Sequence, residues 1–495
     1  MPDQKDEMES TQGMKWFKSY KDLFKKYARL HRYARLLRPY KGRFKSYTQL
    51  PKKGRKKEGV LQELTTMAGE ENAKWKTGQI SGTFYNVGDE HRAFLNEVFS
   101  LFSHVNALQF DTCPSISKME SEIVSMTAKM LHADAVRHHT PKDSVCGTVT
   151  SGGTESIMMA MKVYRDWARA EKGITSPEII MPQTAHAAFD KAGQYFGIKM
   201  VHVPVSAPDF RVDPVAVEAQ INANTTAIVG SAGNYPYGLI DPLDKLSDLA
   251  LKYNIGLHVD GCLGGFILPW IEKLGYNIPV FDFRLPGVTS MSADTHKYGY
   301  ALKGTSVVLY RNNKLRRYQY FTVPDWPGGF YITPTAAGSR SGGLIAATWA
   351  SMVYLGEEGY LQAARAIMKV ADAIKEGVKT IPELILNGNP TFVISVRSEQ
   401  VDIFHVNDFM VNKGWRFNVL QLPPGLHFGV TMPLTVVPDI TGRLIEDLKS
   451  GVQYAKSKAG TKAESSAVYG LSGTLRGNQQ ATELAFTTMD YLYTI

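Results

Sequence analysis

A lysine directly after a predicted strand, Lys297, is the residue of this chain best placed for covalent chemistry. It lies in the run Ser292–Tyr300, behind the β-branched stretch 288–290 that predicts the strand. A lysine at a strand end that faces a pocket can act as a Schiff-base nucleophile, because burial or a cationic neighbour lowers its pKa. The alternative is a solvated surface lysine, which is the commoner state of this residue type. Three segments earlier in the chain favour the first interpretation.

Small residues between a predicted strand and a predicted amphipathic helix form the first of these segments. The strand ends at Thr150, and Ser151, Gly152 and Gly153 lead into the helix. Glycines let the backbone approach an anion closely, and the free N–H groups and dipole at a helix start hold a phosphate. Gly153 and Thr154 are the candidate donors. The alternative is an ordinary turn with Thr154 capping the helix; the Walker and dinucleotide-binding glycine patterns are absent.

The other two segments supply an aspartate and a histidine. Asp260 ends an apolar predicted strand and precedes glycines, so its carboxylate is expected at the carboxyl edge of a sheet, where open α/β sheets bind ligands. His186 has small neighbours, which leave its imidazole room to lie flat on a planar ring. Each residue has a structural alternative: a loop-capping carboxylate for Asp260 and a hydrogen-bonded core histidine for His186.

In chain order, a phosphate turn, a stacking histidine, a strand-end aspartate and a strand-end lysine are the parts of a pyridoxal phosphate site. In such a site the lysine holds the aldehyde and the aspartate keeps the pyridine nitrogen protonated, while the protein controls orientation and electrostatics. Each segment alone is weak, but the ordered set predicts pyridoxal 5'-phosphate as the cofactor.

The strings around these residues resemble those of the sphingosine-1-phosphate lyases, which are fold-type-I pyridoxal phosphate enzymes. The resemblance runs from about Ser81 to the C-terminus, and its most specific strings are Thr150–Ser156, His258–Asp260, Ser292–Tyr300 and Gly338–Arg340. It implies a retro-aldol cleavage of a phosphorylated long-chain base into a long-chain aldehyde and phosphoethanolamine.

The resemblance also implies a role for individual residues. Lys297 would bind the cofactor covalently, Asp260 would pair with the pyridine nitrogen and His186 would stack on the ring. Tyr235 would reach the substrate hydroxyl, with packing at a turn as the alternative. The cofactor phosphate would be held by Gly153, Thr154 and His296, joined by Ser339 from the second subunit of a homodimer.

A second set of residues is implied for the substrate phosphate: Tyr85, Asn106, Gln109, Lys303 and Arg340. The guanidinium of Arg340 can donate two parallel hydrogen bonds to a phosphate, and the ammonium of Lys303 provides a single positive charge. The lyases usually read Asn-Pro-Leu-His where this chain reads Asn106-Ala107-Leu108-Gln109. Because a neutral amide donates a hydrogen bond but cannot become cationic, we expect weaker phosphate binding or an altered substrate range.

Alternating strands and helices predict an α/β fold with a mainly parallel sheet in a large domain and a smaller α+β C-terminal domain. The resemblance implies that this fold is of fold type I. A long helix over Tyr360–Lys379 should lead into the smaller domain. The expected parts are a basic amphipathic N-terminal segment (1–60), an arm contributing to dimer and active site (61–105), the large cofactor-binding domain (106–360) and the small domain (361–495).

Positive charge is concentrated at the N-terminus. Residues 1–60 carry a net +12 and the 495-residue chain carries +9, so residues 61–495 carry −3. Aromatic residues and leucines of 14–38 recur at three- and four-residue steps among lysines and arginines, which is typical of a helix that binds membrane surfaces. Docking of this helix on the enzyme body is the alternative. Nucleic-acid binding is disfavoured, since no recognised module surrounds the segment.

Composition favours a soluble cytoplasmic enzyme with peripheral membrane contact through 14–38. No apolar run reaches about 18 residues and no signal peptide opens the chain. Cys113, Cys146 and Cys262 are too few and too scattered for a disulfide framework or a metal cluster, so no metal is expected.

Two other function classes stay open on the sequence. An amino acid decarboxylase would share Lys297, Asp260 and His186, but would need a carboxylate-binding arginine and a small substrate pocket. A non-catalytic membrane-associated paralogue is suggested by Gln109 alone and is disfavoured because every cofactor residue is in place.

Overall fold

The computed structural model describes residues 38–136, 144–466 and 475–493. The predicted basic helix over 14–38 therefore lies outside the described residues, apart from its last residue. The chain divides into two compact units, one of residues 75–459 and one of the residues before and after them. None of the described helices combines the length and the apolar character that crossing a lipid bilayer requires.

Two long helices, α1 and α14, belong to the smaller unit. They span Lys57–Trp75 and Leu475–Tyr493.

The larger unit contains the other helices and all the described strands. The helices are α2 Asp89–Leu101, α3 Pro114–Met130, α4 Gly153–Lys172, α5 Ala188–Phe196, α6 Pro214–Glu218, α7 Leu243–Lys252, α8 Leu268–Lys273, α9 Asn313–Arg316, α10 Gly342–Lys379, α11 Ile403–Asn412, α12 Met432–Thr435 and α13 Ile440–Ser457. The strands are β1 Cys146–Thr150, β2 Glu178–Pro182, β3 Lys199–Val203, β4 Thr225–Ser231, β5 Gly256–Asp260, β6 Ser290–Ala293, β7 Ser306–Tyr310, β8 Phe321–Val323, β9 Tyr331–Thr333, β10 Ile385–Leu386, β11 Val393–Arg397, β12 Asn418–Gln421 and β13 Pro424–Gly429.

Seven strands form one sheet in the order β1-β7-β6-β5-β4-β2-β3. Neighbouring strands from β6 to β3 are parallel, and β7 runs antiparallel to both β1 and β6. The predicted α/β fold with a mainly parallel sheet is confirmed. Because β7 runs against its neighbours, the residues just before it lie at the same edge as the carboxyl ends of β1, β5 and β6.

Helix α4 packs on this sheet through a buried tyrosine. Tyr164 is fully buried, and its hydroxyl lies 2.7 Å from Oγ1 of Thr289. A Cβ on Gly256, the first residue of β5, would lie 2.1 Å from a ring carbon of Tyr164, so only glycine fits there. The close approach seats α4, and the glycine turn before it, against the strand that ends in Asp260.

The helix predicted over Tyr360–Lys379 is present as the second part of α10. Helix α10 runs from Gly342 to Lys379 with a break at Gly356, where φ is 56° and favours glycine, and the predicted helix lies beyond this break. Beyond α10, a four-stranded antiparallel sheet has the order β10-β11-β13-β12. The domain boundaries expected from the sequence stay predictions.

Candidate active site

Three strand ends meet at one edge of the large sheet and carry the predicted cofactor residues. Strand β1 leads into the glycine turn, β5 ends at Asp260, and β6 leads through Asp294 to Lys297. Asp260 pairs directly with Ser292 across the parallel strands β5 and β6. The strand before Lys297 begins at Ser290, and the N–H of the preceding Thr289 already donates to the carbonyl of Leu257 on β5.

Lys297 is paired with a buried carboxylate that the sequence interpretation missed. Its Nζ lies 2.9 Å from Oδ2 of Asp294, whose side chain is 2% exposed. Nε2 of His296 lies 3.6 Å from the same oxygen. Oδ1 of Asp294 is buried without a hydrogen-bond partner among the described residues. The available signal was a carboxylate directly after the strand and three residues before the lysine.

The ion pair reverses the expected pKa shift of Lys297. Burial lowers the pKa of the ammonium, but the attraction of Asp294 outweighs burial, so the pKa of Lys297 is raised above its ordinary value. Burial raises the pKa of Asp294, but Lys297 and His296 hold that pKa below its usual range. The expectation of a lowered lysine pKa was wrong because no strand pattern shows how close the two charges come.

Asp294→Asn should make the amine of Lys297 reactive at lower pH in the protein without cofactor. The neutral amide removes the attraction, while burial continues to lower the pKa of Lys297. A fall of one pKa unit increases the neutral fraction about ten-fold. Acetic anhydride labelling of Lys297 at pH 8, followed by peptide mass spectrometry, measures this fraction. The control is Asp166→Asn, which breaks a lysine pair on α4 (3.0 Å to Lys162); equal labelling in both variants would contradict the prediction.

The glycine turn lies against Asp294. A Cβ on Gly153 would lie 2.7 Å from Oδ1 of Asp294 and 2.8 Å from Sγ of Cys262, so a side chain is excluded at this position. The N–H of Ser151 donates to the carboxylate of Glu155 at 2.6 Å, which holds the turn closed. The backbone of the turn is thus brought next to Lys297 and His296.

Helix α4 starts at this turn with exposed backbone donors. Its N-cap is Gly152, with φ of 154° and no side-chain cap, so the alternative of Thr154 as the cap was wrong. Thr154 is the second residue of the helix and is exposed. The first N–H groups of a helix have no intrahelical partner, and this end carries the positive end of the helix dipole. Gly153 and Thr154 are placed to hold a phosphate.

A row of polar side chains across two strands orients Asp260. Its Oδ1 accepts from the N–H of Cys262 at 3.0 Å and from Oγ of Ser292 at 3.2 Å. The Oγ of Ser292 also lies 3.3 Å from Nε2 of His258, and His258 is fully buried. Burial lowers the pKa of His258 to about 4, so this imidazole is neutral at physiological pH. Ser292 and His258 were not singled out on the sequence.

His186 and Tyr235 lie at the open side of the site. His186 is exposed, so the alternative of a core histidine was wrong. Its Nδ1 accepts from the N–H of Ala188 at 3.1 Å, which fixes the ring. The ring of Tyr235 is nearly perpendicular to it, with centroids 6.1 Å apart. Partial burial raises the pKa of Tyr235, against the opposing effect of Lys297.

Tyr85 and Lys303, which are far apart in the chain, reach the same site. Nζ of Lys303 lies 4.6 Å above the Tyr85 ring and 3.3 Å from the carbonyl oxygen of His296. The buried ring of Tyr298 supports Tyr85 edge-on at 5.0 Å. Burial, with repulsion from Lys297, lowers the pKa of Lys303 to about 8, and burial raises the pKa of Tyr85 to about 12.

The remaining predicted residues form a separate polar group. Asn106 donates to Oγ of Ser339 at 3.0 Å and accepts from the N–H of Arg340 at 3.1 Å. The Arg340 guanidinium is held by Glu120 at 2.6 Å, and it also donates to a carbonyl of β1. Gln109 follows this group with an exposed side chain. The structure thus gathers the predicted residues into two groups, one around Lys297 and one around Asn106.

The residues around Lys297 fit pyridoxal phosphate. The amides at the start of α4 suit its phosphate, the amine of Lys297 suits its aldehyde, and the Asp260 carboxylate, held by two donors, suits a ring N–H. The exposed imidazole of His186 leaves a flat surface for the ring. Asp294 places one negative charge beside the phosphate position, and the ammonium of Lys297, 2.9 Å from its carboxylate, balances it.

Fold and site together define a pyridoxal phosphate-dependent enzyme of fold type I. Residues 42–391 match the family described as the pyridoxal-dependent decarboxylase conserved domain. Glutamate decarboxylase of Lactobacillus brevis superposes with a TM-score of 0.70 over 84% of this chain and 96% of that one; at 22% identity this likeness shows the fold alone.

Proteins with higher sequence identity to this chain narrow the class of pyridoxal phosphate-dependent enzyme. Sphingosine-1-phosphate lyase of Dictyostelium discoideum is 44% identical over 90% of this chain and 82% of its own, and that of Oryza sativa is 45% identical over 90% and 81%. The structure of a Burkholderia pseudomallei sphingosine-1-phosphate lyase superposes with a TM-score of 0.86 at 48% identity, over 92% of this chain and 99% of that one. The chain belongs to the sphingosine-1-phosphate lyase family.

Proposed function

We propose that this protein cleaves the bond between C2 and C3 of sphingosine 1-phosphate, giving a long-chain aldehyde and phosphoethanolamine. The observation that carries the proposal is the pairing of Lys297 with Asp294, next to Asp260 on the neighbouring strand. At one edge of the sheet, Lys297 can bind the cofactor covalently and Asp294 can keep the lysine protonated. Asp260 can pair with the ring nitrogen of the cofactor. Relatives at 44–45% identity carry the name of this lyase.

Pyridoxal phosphate, held by Lys297, Asp260 and the turn at Gly153, would supply an aldehyde that links to amines and a ring that accepts an electron pair. The amine of Lys297 lies beside Asp294. The carboxylate holds this amine as an ammonium, which can return a proton to C2. The hydrogen bonds from Cys262 and Ser292 keep Asp260 aimed at the ring nitrogen.

Tyr235 is the residue we assign to the substrate hydroxyl on C3. Its raised pKa keeps the phenol protonated at neutral pH, so it orients the hydroxyl by hydrogen bonding and does not act as a free base. Its ring lies 6.1 Å from that of His186, and the charge of Lys297 is close enough to lower the pKa of the phenol against the effect of burial. Its 43% exposure leaves the ring accessible to substrate.

The substrate phosphate is assigned to Tyr85 and Lys303 on the Lys297 side of the site. Lys303 has a lowered pKa and gains full charge when an anion binds beside it, which links phosphate binding to protonation. The Tyr85 phenol, protonated at neutral pH, can donate a hydrogen bond to the same anion.

The group around Asn106 is assigned to the site of a second subunit. Asn106, Ser339 and Arg340 bind each other tightly, but they form a group apart from the one around Lys297. In a homodimer with shared sites, each subunit would present this group, with Gln109, to the cofactor and substrate phosphates of the other. A chain that sediments as a monomer in the presence of cofactor would contradict this assignment.

Product analysis tests the proposed function directly. The purified chain is incubated with sphingosine 1-phosphate, with and without added pyridoxal phosphate, and the products are identified by mass spectrometry. We expect aldehyde and phosphoethanolamine in equal amounts, dependent on the cofactor. Carbon dioxide released from amino acids, without aldehyde, would favour the decarboxylase alternative instead.

Gln109→His should strengthen binding of the phosphorylated substrate. An imidazolium at this exposed position adds a positive charge, which a neutral amide cannot provide. We expect KM to fall roughly three- to ten-fold at pH 6.5, in line with about 1 kcal/mol for one charge on an anion, with less effect at pH 8. An unchanged KM at both pH values would show that Gln109 does not contact the phosphate. Gln109→Asn, which keeps the amide, is the control.

The basic N-terminal segment is assigned to membrane contact. An amphiphilic substrate resides in bilayers, and each basic residue near an anionic surface contributes about 1 kcal/mol. We expect the intact chain to float with anionic liposomes and a chain lacking residues 1–60 to stay in solution. If both chains float to the same extent, the alternative that the segment docks on the enzyme body would be favoured.

A further inference from the structure

We propose that His427 is a positioning residue for Tyr235, through which the small sheet sets the orientation of the tyrosine ring in the active site. The inference rests on the proposed function, in which Tyr235 contacts the substrate hydroxyl. His427 lies on β13 of the four-stranded sheet, whereas Tyr235 follows β4 of the large sheet.

The two rings are in edge-to-face contact. Their centroids are 4.9 Å apart and their planes are inclined by 68°, the arrangement that aromatic rings prefer. The ring of His186 stands 6.1 Å from the same tyrosine ring. Tyr235 is therefore in contact with a second imidazole, from the small sheet, as well as near the imidazole assigned to the cofactor.

A buried polar network fixes the His427 ring. Asn418 on the neighbouring strand β12 donates through Nδ2 to Nε2 of His427 at 3.1 Å. The same amide donates to Oγ of Ser81 at 3.2 Å, and this oxygen also accepts from the N–H of Gly429 at 2.8 Å. Ser81 and His427 are 2% and 3% exposed, so the network is shielded from solvent.

Burial sets the protonation state of the ring. It lowers the pKa of His427 to about 4, so the imidazole beside the Asn418 amide is neutral at physiological pH. A neutral imidazole in a fixed orientation gives Tyr235 a rigid surface without adding charge to the site. The small sheet could pack without placing the His427 ring against a residue of the active site.

A double-mutant cycle tests the proposal in the cofactor-loaded enzyme. We expect His427→Ala to lower kcat about ten-fold, since a slightly misplaced group can cost that much, with KM changed less than two-fold. In a Tyr235→Phe background the same substitution should cost less than two-fold, because the positioned hydroxyl is already gone. Equal losses in both backgrounds would overturn the proposal.

Two further variants separate positioning from stability. His405→Ala removes another small-domain histidine, which is 4% exposed and packs edge-on against the Tyr454 ring at 6.3 Å; it should lower the melting temperature without changing kcat. Asn418→Ala keeps the His427 ring but removes its anchor, and it should lower kcat in the same direction by a smaller factor. It remains informative if His427→Ala does not fold, and an unchanged kcat in Asn418→Ala would contradict the role of the network.

A measurement without substrate separates this proposal from the proposed function. With 3-fluorotyrosine at position 235, the fluorine resonance of the loaded enzyme should shift or broaden in His427→Ala and stay unchanged in His405→Ala. An unchanged resonance in His427→Ala would overturn the positioning role. If the wild-type chain releases no aldehyde but the resonance responds, the proposed function fails and the contact between the two residues stands.

Discussion

Lys297→Ala is expected to lower the rate of aldehyde formation by roughly a thousand-fold, because one substitution removes both the covalent anchor and the proton donor. The absorbance of the lysine-bound cofactor should disappear in the same variant. The structure adds a second consequence. Asp294, with its side chain 2% exposed, loses the cation that lies 2.9 Å from its carboxylate. Breaking a buried pair on one side leaves an uncompensated charge, which we expect to cost about 2–3 kcal/mol of folding stability.

The double variant Lys297→Ala/Asp294→Asn separates these two effects. It should recover most of the lost melting temperature and none of the activity. The pH dependence has a defined sign, since the pKa of Asp294 is lowered and that of Lys297 is raised in the folded protein. The pair therefore stabilises the fold between the ordinary pKa values of the two groups, and this contribution is lost as pH falls through the lowered carboxyl pKa or rises through the raised lysine pKa. Full activity in Lys297→Ala would refute the assigned site.

Asp260→Asn is the second substitution expected to have a large effect, with a loss of kcat of roughly 10²–10³-fold, the range found when one preorganised electrostatic partner is removed. An amide can no longer hold a protonated ring nitrogen by charge, so the electron pair left on C2 is stabilised less. The geometry around the residue should survive, since asparagine still accepts from the N–H of Cys262 through its oxygen.

Ser292→Ala is the matched control for this substitution. It removes the hydroxyl that donates to Asp260 at 3.2 Å but leaves the carboxylate and its charge in place. We expect a loss of less than ten-fold. Cofactor absorbance recorded from pH 6 to 9 measures ring protonation: it should titrate in Asp260→Asn and stay constant in Ser292→Ala. Similar kinetics in the two variants would indicate that Asp260 acts only as a hydrogen-bond acceptor.

The residues of the cofactor site were predictable because each one follows its own strand. Parallel strands bring their carboxyl ends to one edge of the sheet, so order along the chain is enough to bring Gly153, Asp260 and Lys297 together. Helix and strand ends were less predictable. The first part of α10, from Gly342 to the break at Gly356, was not singled out, although the helix beyond the break was predicted. The strand before Lys297 begins at Ser290, within the usual uncertainty of element ends.

The sequence by itself determined the fold class, the cofactor and the family, since these depend on residue types in a fixed order. Only the tertiary structure decided the ionisation of Lys297, because that depends on a distance of 2.9 Å to Asp294 in a buried setting. The same holds for Tyr235, whose neighbour His427 lies 192 positions away in the chain and on a different sheet. Coulomb interactions and ring contacts act over a few ångströms, and sequence spacing does not encode such distances between remote segments.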